Sequence, residues 1–156
     1  MLKAKDIMNT DVITVSPETT IEELGRLFIE KGISGAPVLG SDRKLYGIVT
    51  ENDLIKQNKR FHIPTLLRLF DALIPLEGSG AVEAEIRRMS ASAVSEICTR
   101  KVITVGTETS LQDIATIMSE KGVHLIPVMS SEKLVGIIGK IDIIKGALGE
   151  ADKQKL

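Results

Sequence analysis

The chain has 156 residues, enough for one compact module that buries roughly 70% of the surface exposed by its unfolded form. Aromatic residues are 3% with no Trp, so aliphatic packing carries the core and base-stacking platforms for single-stranded nucleic acid are not expected. Twenty basic against 21 acidic residues give a formal charge of -1, so no bulk field draws the chain to nucleic acid or to an anionic membrane.

The single cysteine, Cys98, excludes an intrachain disulfide and a multi-cysteine metal site, and His62 and His124 show no ligand spacing. No metal is expected. No apolar run approaches the ~18 residues of a membrane span. Met1-Leu2-Lys3-Ala4-Lys5 carries no secretory pattern, so a soluble, cytoplasmic protein is expected.

In chain order, the β-branched run Val12 to Val15 predicts a short buried strand. Thr20-Ile21-Glu22-Glu23 has the T-x-x-E form of a capping box, opening a helix whose Ile21, Leu24, Leu27 and Phe28 share one face. Gly32 stops that helix in the manner of a left-handed cap. A strand over Ile33 to Leu39, a turn at Gly40-Ser41-Asp42-Arg43, a strand over Leu45 to Val49 and a helix from near Glu51 complete a β-α-β-β-α unit.

The unit then recurs. Val102-Ile103-Thr104-Val105 repeats Val12-Ile13-Thr14-Val15 at an offset of 90, and Glu120-Lys121-Gly122 and Pro127-Val128 repeat Glu30-Lys31-Gly32 and Pro37-Val38. One residue is lost near Arg43, after which the offset is 89. Leu111, Ile114, Ile117 and Met118 mirror the first helical face behind a weaker cap at Ser110, and Gly122 mirrors Gly32. Two diverged copies imply an α/β (α+β) fold of two repeats related by a pseudo-two-fold. The expected organisation is repeat 1 over 1–60, a helical insert over 61–92, repeat 2 over 93–148 and a polar, fraying tail over 149–156. In the insert, Leu66, Leu67, Phe70, Leu73 and Ile74 form one apolar stripe, and Val82, Ile86 and Met89 suggest a second helix. This hairpin either covers the module's own apolar surface or forms a lid or docking arm.

The candidate chemistry lies where the last strand of each copy meets its last helix. In Gly47-Ile48-Val49-Thr50-Glu51-Asn52-Asp53, free N–H groups, a hydroxyl and a carboxylate gather at the positive end of a helix. That corner suits a phosphate near Thr50 and a ligand hydroxyl at Asp53. A capping box is the plain alternative, worth about 0.5–2 kcal/mol. The second copy, Gly136-Ile137-Ile138-Gly139-Lys140-Ile141-Asp142, loses the hydroxyl yet keeps the aspartate, which argues for a role beyond capping.

A paired β-α-β-β-α unit with G-h-h-[ST]-x-x-D after its third strand resembles the cystathionine β-synthase (CBS) domain family, whose pairs are called Bateman modules. Asp6-Ile7-Met8 and Gly122-Val123-His124-Leu125-Ile126-Pro127-Val128 carry its companion patterns. The resemblance covers all but the insert and tail. It implies a regulatory sensor with two clefts for adenosine-containing ligands: AMP, ADP, ATP or S-adenosylmethionine. Cleft A would combine Thr50, Asn52 and Asp53 with adenine walls from Val102, Ile103 and Val123. Cleft B would combine Gly139, Lys140, Asp142 and His124 with walls from Val12, Ile13 and Ile33. Gly139 in place of a hydroxyl residue, and Leu125 where related kinase subunits carry arginine, favour cleft A for phosphate. The resemblance further implies a homodimer through the helices, acting on an effector protein or through its own assembly. No catalytic residues or cofactor are expected: Walker A, HExxH and nucleophile-elbow patterns are absent. The competing reading is a ligand-independent dimerisation scaffold whose clefts are filled by their own Val and Ile side chains.

Overall fold

The computed structural model describes residues 1–60 and 92–155. It is a mixed α/β structure: α1 (Ala4–Ile7), α2 (Ile21–Lys31), β1 (Gly35–Leu39), β2 (Leu45–Thr50), α3 (Glu51–Arg60), α4 (Val94–Ile97), β3 (Val105–Gly106), α5 (Leu111–Lys121), β4 (Leu125–Ser130), β5 (Lys133–Gly139) and α6 (Lys140–Lys155). One sheet pairs β1 with β2; the other has the order β3-β4-β5. In the latter, β3 runs parallel to β4, with Val105 opposite Val128, and β4 runs antiparallel to β5, with Ile126 opposite Ile138.

The long helices form where their caps and apolar spacing direct. Thr20 Oγ1 accepts from the Glu23 amide at 3.1 Å, and the Glu23 carboxylate accepts from the Thr20 amide at 3.2 Å, closing the expected box. At α5 the Ser110 hydroxyl accepts from the Asp113 amide at 3.1 Å. Gly32 and Gly122 end these helices at φ +62° and +63°, a region that costs residues with a Cβ. Leu24 and Phe28 of α2 are buried with Val15, Ala36, Val38, Val49 and Val94; Ile114 and Met118 of α5 are buried with Ala4, Val105, Ile126, Val128 and Ile138.

Three elements differ from expectation. The Val12 to Val15 run is no strand: only Val15 reaches a partner, donating to Pro37 O and accepting from Leu39 N, and its counterpart is the two-residue β3. Val12 and Ile13 are half-buried and Thr14 is exposed, so β-branched character there reports packing without a ladder. Strand β1 begins at Gly35, because the turn after Gly32 takes up Ile33, whose amide donates to Phe28 O. The C-terminal stretch expected to fray continues α6 to Lys155. The expected insert hairpin falls outside the described residues.

Two compact units are present, and they are not the two repeats. One contains Met1–Thr14, Ser41–Leu45 and the chain from Lys101; the other contains Val15–Gly40 and the described residues from Tyr46 to Arg100. Each repeat's leading segment therefore docks on the other repeat. Ala4 N donates to Thr109 O and Lys5 N to Thr107 O; in the other unit Val94 N donates to Thr19 O and Ser95 N to Pro17 O. Asn9 exchanges two backbone bonds with Ile137, and Thr99 exchanges two with Ile48.

This docking accounts for the glycines at Gly47 and Gly136. A Cβ on Gly47 would lie 2.6 Å from Thr99 O and 3.0 Å from Cys98 Sγ; one on Gly136 would strike the Met8 side chain, with Cγ at 2.7 Å. Only a residue without a Cβ admits the docked segment so closely.

Candidate functional site

The two strand-to-helix junctions lie in different units. At the first, Asp53 Oδ2 accepts from the Thr50 amide at 2.8 Å and lies 3.4 Å from the Thr50 hydroxyl. At the second, Asp142 Oδ2 accepts from the Gly139 amide at 2.7 Å. This corrects the argument drawn from the duplication. The half of a capping box that runs from the N3 carboxylate to the N-cap amide needs no hydroxyl, so Asp142 caps α6 even though Gly139 has no side chain. Capping thus accounts for one oxygen of each carboxylate. Among the described residues, Oδ1 of each has no hydrogen-bond partner. Gly139 itself is not forced by packing: a Cβ there would meet nothing nearer than Asp142 Oδ2 at 3.7 Å.

Of the residues expected in cleft B, the structure brings His124 and Lys140 together. They line a cavity of about 520 Å³ with Ala115, Met118, Ser119, Gly122, Ile143 and Ile144. The volume is within the range of small-molecule sites, and the lining is an apolar floor with an imidazole, an ammonium and a hydroxyl. His124 and Lys140 are both exposed. Gly139 and Asp142 stand at the start of α6, and neither lines this cavity. Val12 and Ile13, half-buried, belong to the same unit, whereas Ile33 packs against the core of the other.

The residues expected in cleft A divide between the units. Thr50 and Asp53 are half-buried and Asn52 is exposed in one. Val102, Ile103 and Val123 are half-buried in the other, Val123 against its core. Beside Asp53 is a recess of about 90 Å³ lined also by Lys56, Gln57, Glu96 and Ile97, where Gln57 is a buried polar side chain. The docked segment supplies Glu96 and Ile97, which no reading of local motifs included. Glu51 was also passed over. It occupies the position of Lys140 at the offset of 89, and Ser34 that of His124 at 90. The signal lay in the positions where the copies differ.

Burial pushes the Cys98 thiol upward, with Asp53 adding to the shift and Arg100 opposing it. A thiol so held is a poor nucleophile, consistent with a packing role against Gly47. Among the described residues, no group of three or more His, Cys, Asp and Glu side chains is placed to hold a metal ion, and no helix is long and apolar enough to cross a membrane.

Comparison with known proteins gives the same architecture. The CBS domain family profile matches residues 4–59 and 94–149. Uncharacterized protein MJ1426 of Methanocaldococcus jannaschii is 30% identical over 154 residues, covering 92% of this chain and 90% of that one. Among solved structures, CBSX2 in complex with AMP superposes with a TM-score of 0.74 at 21% identity, covering 97% of this chain and 99% of that one. The CBS domain pair of protein MJ0100, in complex with 5′-methylthioadenosine and S-adenosyl-L-methionine, superposes with a TM-score of 0.70 at 24% identity, covering 96% and 98%. With the profile matched once in each repeat, this chain belongs to the CBS domain family as a tandem pair.

Proposed function

We propose that this CBS pair is a regulatory module that binds an adenosyl ligand and responds by a conformational change, acting on a partner or on its own oligomer, and that it is not a catalyst. The observation that supports the reading most is the cavity of about 520 Å³ that joins an apolar floor to Lys140 and His124, next to a helix start bearing Asp142. A nucleotide needs those three elements: an apolar face for the base, a cation for phosphate and a carboxylate for the sugar diol. CBSX2 holds AMP, and the MJ0100 pair holds methylthioadenosine and S-adenosylmethionine, so these compounds are the ones to test here. Asp53 and Asp142 would serve the sugar through their second oxygens, the first being committed to capping. Regulation requires that the ligand prefer one of two conformations.

Thermal-shift and calorimetric titration with AMP, ADP, ATP, methylthioadenosine and S-adenosylmethionine test the proposal. A ligand at 100 times its Kd stabilises the fold by about 2.7 kcal/mol. The variants Asp53→Asn and Asp142→Asn retain an oxygen for the cap and lose the charge, so they are expected to weaken binding without unfolding the helix start. If no adenosyl compound binds the unaltered chain, the sensor reading is wrong.

A specific feature favours the scaffold as a second reading. On α6, Ile141, Ile144 and Leu148 are 58%, 53% and 61% exposed and recur on one helical face. Such a stripe suits a second copy of the chain. Sedimentation without nucleotide distinguishes the two: a ligand-independent dimer lost on Ile144→Glu, with no nucleotide binding at all, makes the protein a scaffold.

A further inference from the structure

The helix pairs of the two repeats present unlike surfaces at equivalent positions. The cavity of about 520 Å³ is lined by Ala115 and Ser119 of α5 and by Lys140, Ile143 and Ile144 of α6. At the offset of 90, Ser119 corresponds to Ile29 on α2; at 89, Ile144 corresponds to Ile55 and Lys140 to Glu51 on α3. Ile29 is 84% exposed and Ile55 is 56% exposed. One helix pair is hollow where the other carries two projecting isoleucines.

The charges are opposed as well. Lys140 takes the first position of α6, where the positive helix end disfavours a cation, and Glu51 takes the first of α3, where an acid is favoured. Among the described residues neither has an ion-pair partner. No local interaction accounts for the lysine, whereas an anion from outside its unit does. Like faces packed together set hollow against hollow and lysine against lysine. Unlike faces set isoleucines on an apolar floor and a carboxylate beside an ammonium. The exposed stripe of Ile141, Ile144 and Leu148 meets the cavity at Ile144, so a surface that covers the stripe also reaches the hollow.

We propose that the chain self-associates through unlike faces. The α2–α3 face of one copy packs on the α5–α6 face of a second, with Ile29 and Ile55 in the hollow beside Ser119 and Glu51 paired with Lys140. An adenosyl ligand calls on the same floor and the same lysine, so ligand and second copy exclude each other there. The pairing stands on the two surfaces; only the exclusion rests on the adenosyl reading above.

Sedimentation of the full chain over a range of concentrations tests the pairing. Expected is an assembly whose dissociation constant rises about tenfold or more on Ile29→Lys. Lys140→Glu and Glu51→Lys should each weaken it comparably. An equimolar mixture of these two variants should regain the affinity of the unaltered chain, because the contacts between them again join opposite charges. All three positions are exposed, and far-UV circular dichroism confirms that each variant is folded. Saturating AMP should shift the unaltered chain toward monomer. A monomer at every concentration, an assembly indifferent to Ile29→Lys, or a mixture no tighter than its parts overturns the pairing. AMP bound without loss of the assembly overturns the exclusion alone. Failure of every adenosyl compound to bind removes the exclusion together with the sensor reading and leaves the pairing standing.

Discussion

The β2–α3 and β5–α6 junctions share one backbone plan and differ in nearly every side chain that faces outward. Both place an aspartate at the third helical position, and both tie it to the N-cap amide. Around that common cap, Thr50 corresponds to Gly139, Glu51 to Lys140 and Asn52 to Ile141 at the offset of 89. Helix-start geometry is held by bonds that tolerate these exchanges, so the surrounding positions are free to vary in charge. The docked leading segments repeat the lesson. Their backbone bonds are duplicated, yet among the described residues the ion pairs are at the first: Lys3 and Lys5 both bind Glu108, with Lys5 Nζ at 2.7 Å from Oε1. The equivalents are Ala93, Ser95 and Glu18, which offer no such pair.

The largest expected effect separates the two docking glycines. Gly47→Ala pushes a methyl group toward the Thr99 carbonyl, which is main chain and cannot turn aside. Its cost should be about 1–3 kcal/mol in chemical denaturation. At Gly136→Ala the nearest atoms all belong to the Met8 side chain, whose Sδ and Cγ can turn aside although its Cβ at 2.9 Å is held, and the cost should be smaller. Adding Met8→Ala should recover part of that loss, and a full, equal loss at both glycines would contradict the distinction.

Next in size are the caps. Asp53→Ala and Asp142→Ala should each cost about 0.5–2 kcal/mol, the former more because Asp53 also faces the Thr50 hydroxyl. Urea melts that found no loss at Asp142 would remove capping from its account. Gly139→Ser has room for its side chain and should change stability by only a few tenths of a kcal/mol, since glycine is itself a tolerable N-cap.

The smallest effect is electrostatic. Hydrogen bonds from Lys3 and Lys5 hold the Glu108 carboxyl down at about 2, from an ordinary value of 4.5. A carboxyl lowered by folding stabilises the fold above its unfolded value and loses that contribution as pH falls toward its folded one. Docking of residues 3–5 should therefore weaken between about pH 4.5 and 2, seen as faster amide exchange at Ala4 and Lys5 relative to Val94 and Ser95. Glu108→Gln should abolish the difference. These side chains lie at the surface, so salt should reduce the effect.

Much of this was legible in the chain itself. The helices followed from Thr20, Ser110, Gly32 and Gly122 together with apolar spacing at Leu24, Phe28, Ile114 and Met118, because capping and amphipathicity are local and periodic. The Val12 to Val15 strand was misread because β-branched residues signal burial as readily as ladder pairing, and only Val15 finds a partner. Asp142 was over-read because a carboxylate that caps through a backbone amide leaves no sequence mark distinguishing it from one reserved for a ligand.

By itself, the sequence determined the duplication, the capped helix, hairpin and last helix of each copy, and the family, since each depends on residues near one another in the chain or on direct repetition. Tertiary structure alone decided that each leading segment serves the other repeat, and hence why Gly47 and Gly136 must be glycine. It likewise decided that His124 and Lys140 share a cavity while Asp53 stands beside Glu96. Those pairings join residues distant in the chain through packing and backbone hydrogen bonds, and no local pattern encodes which distant segment will supply the partner.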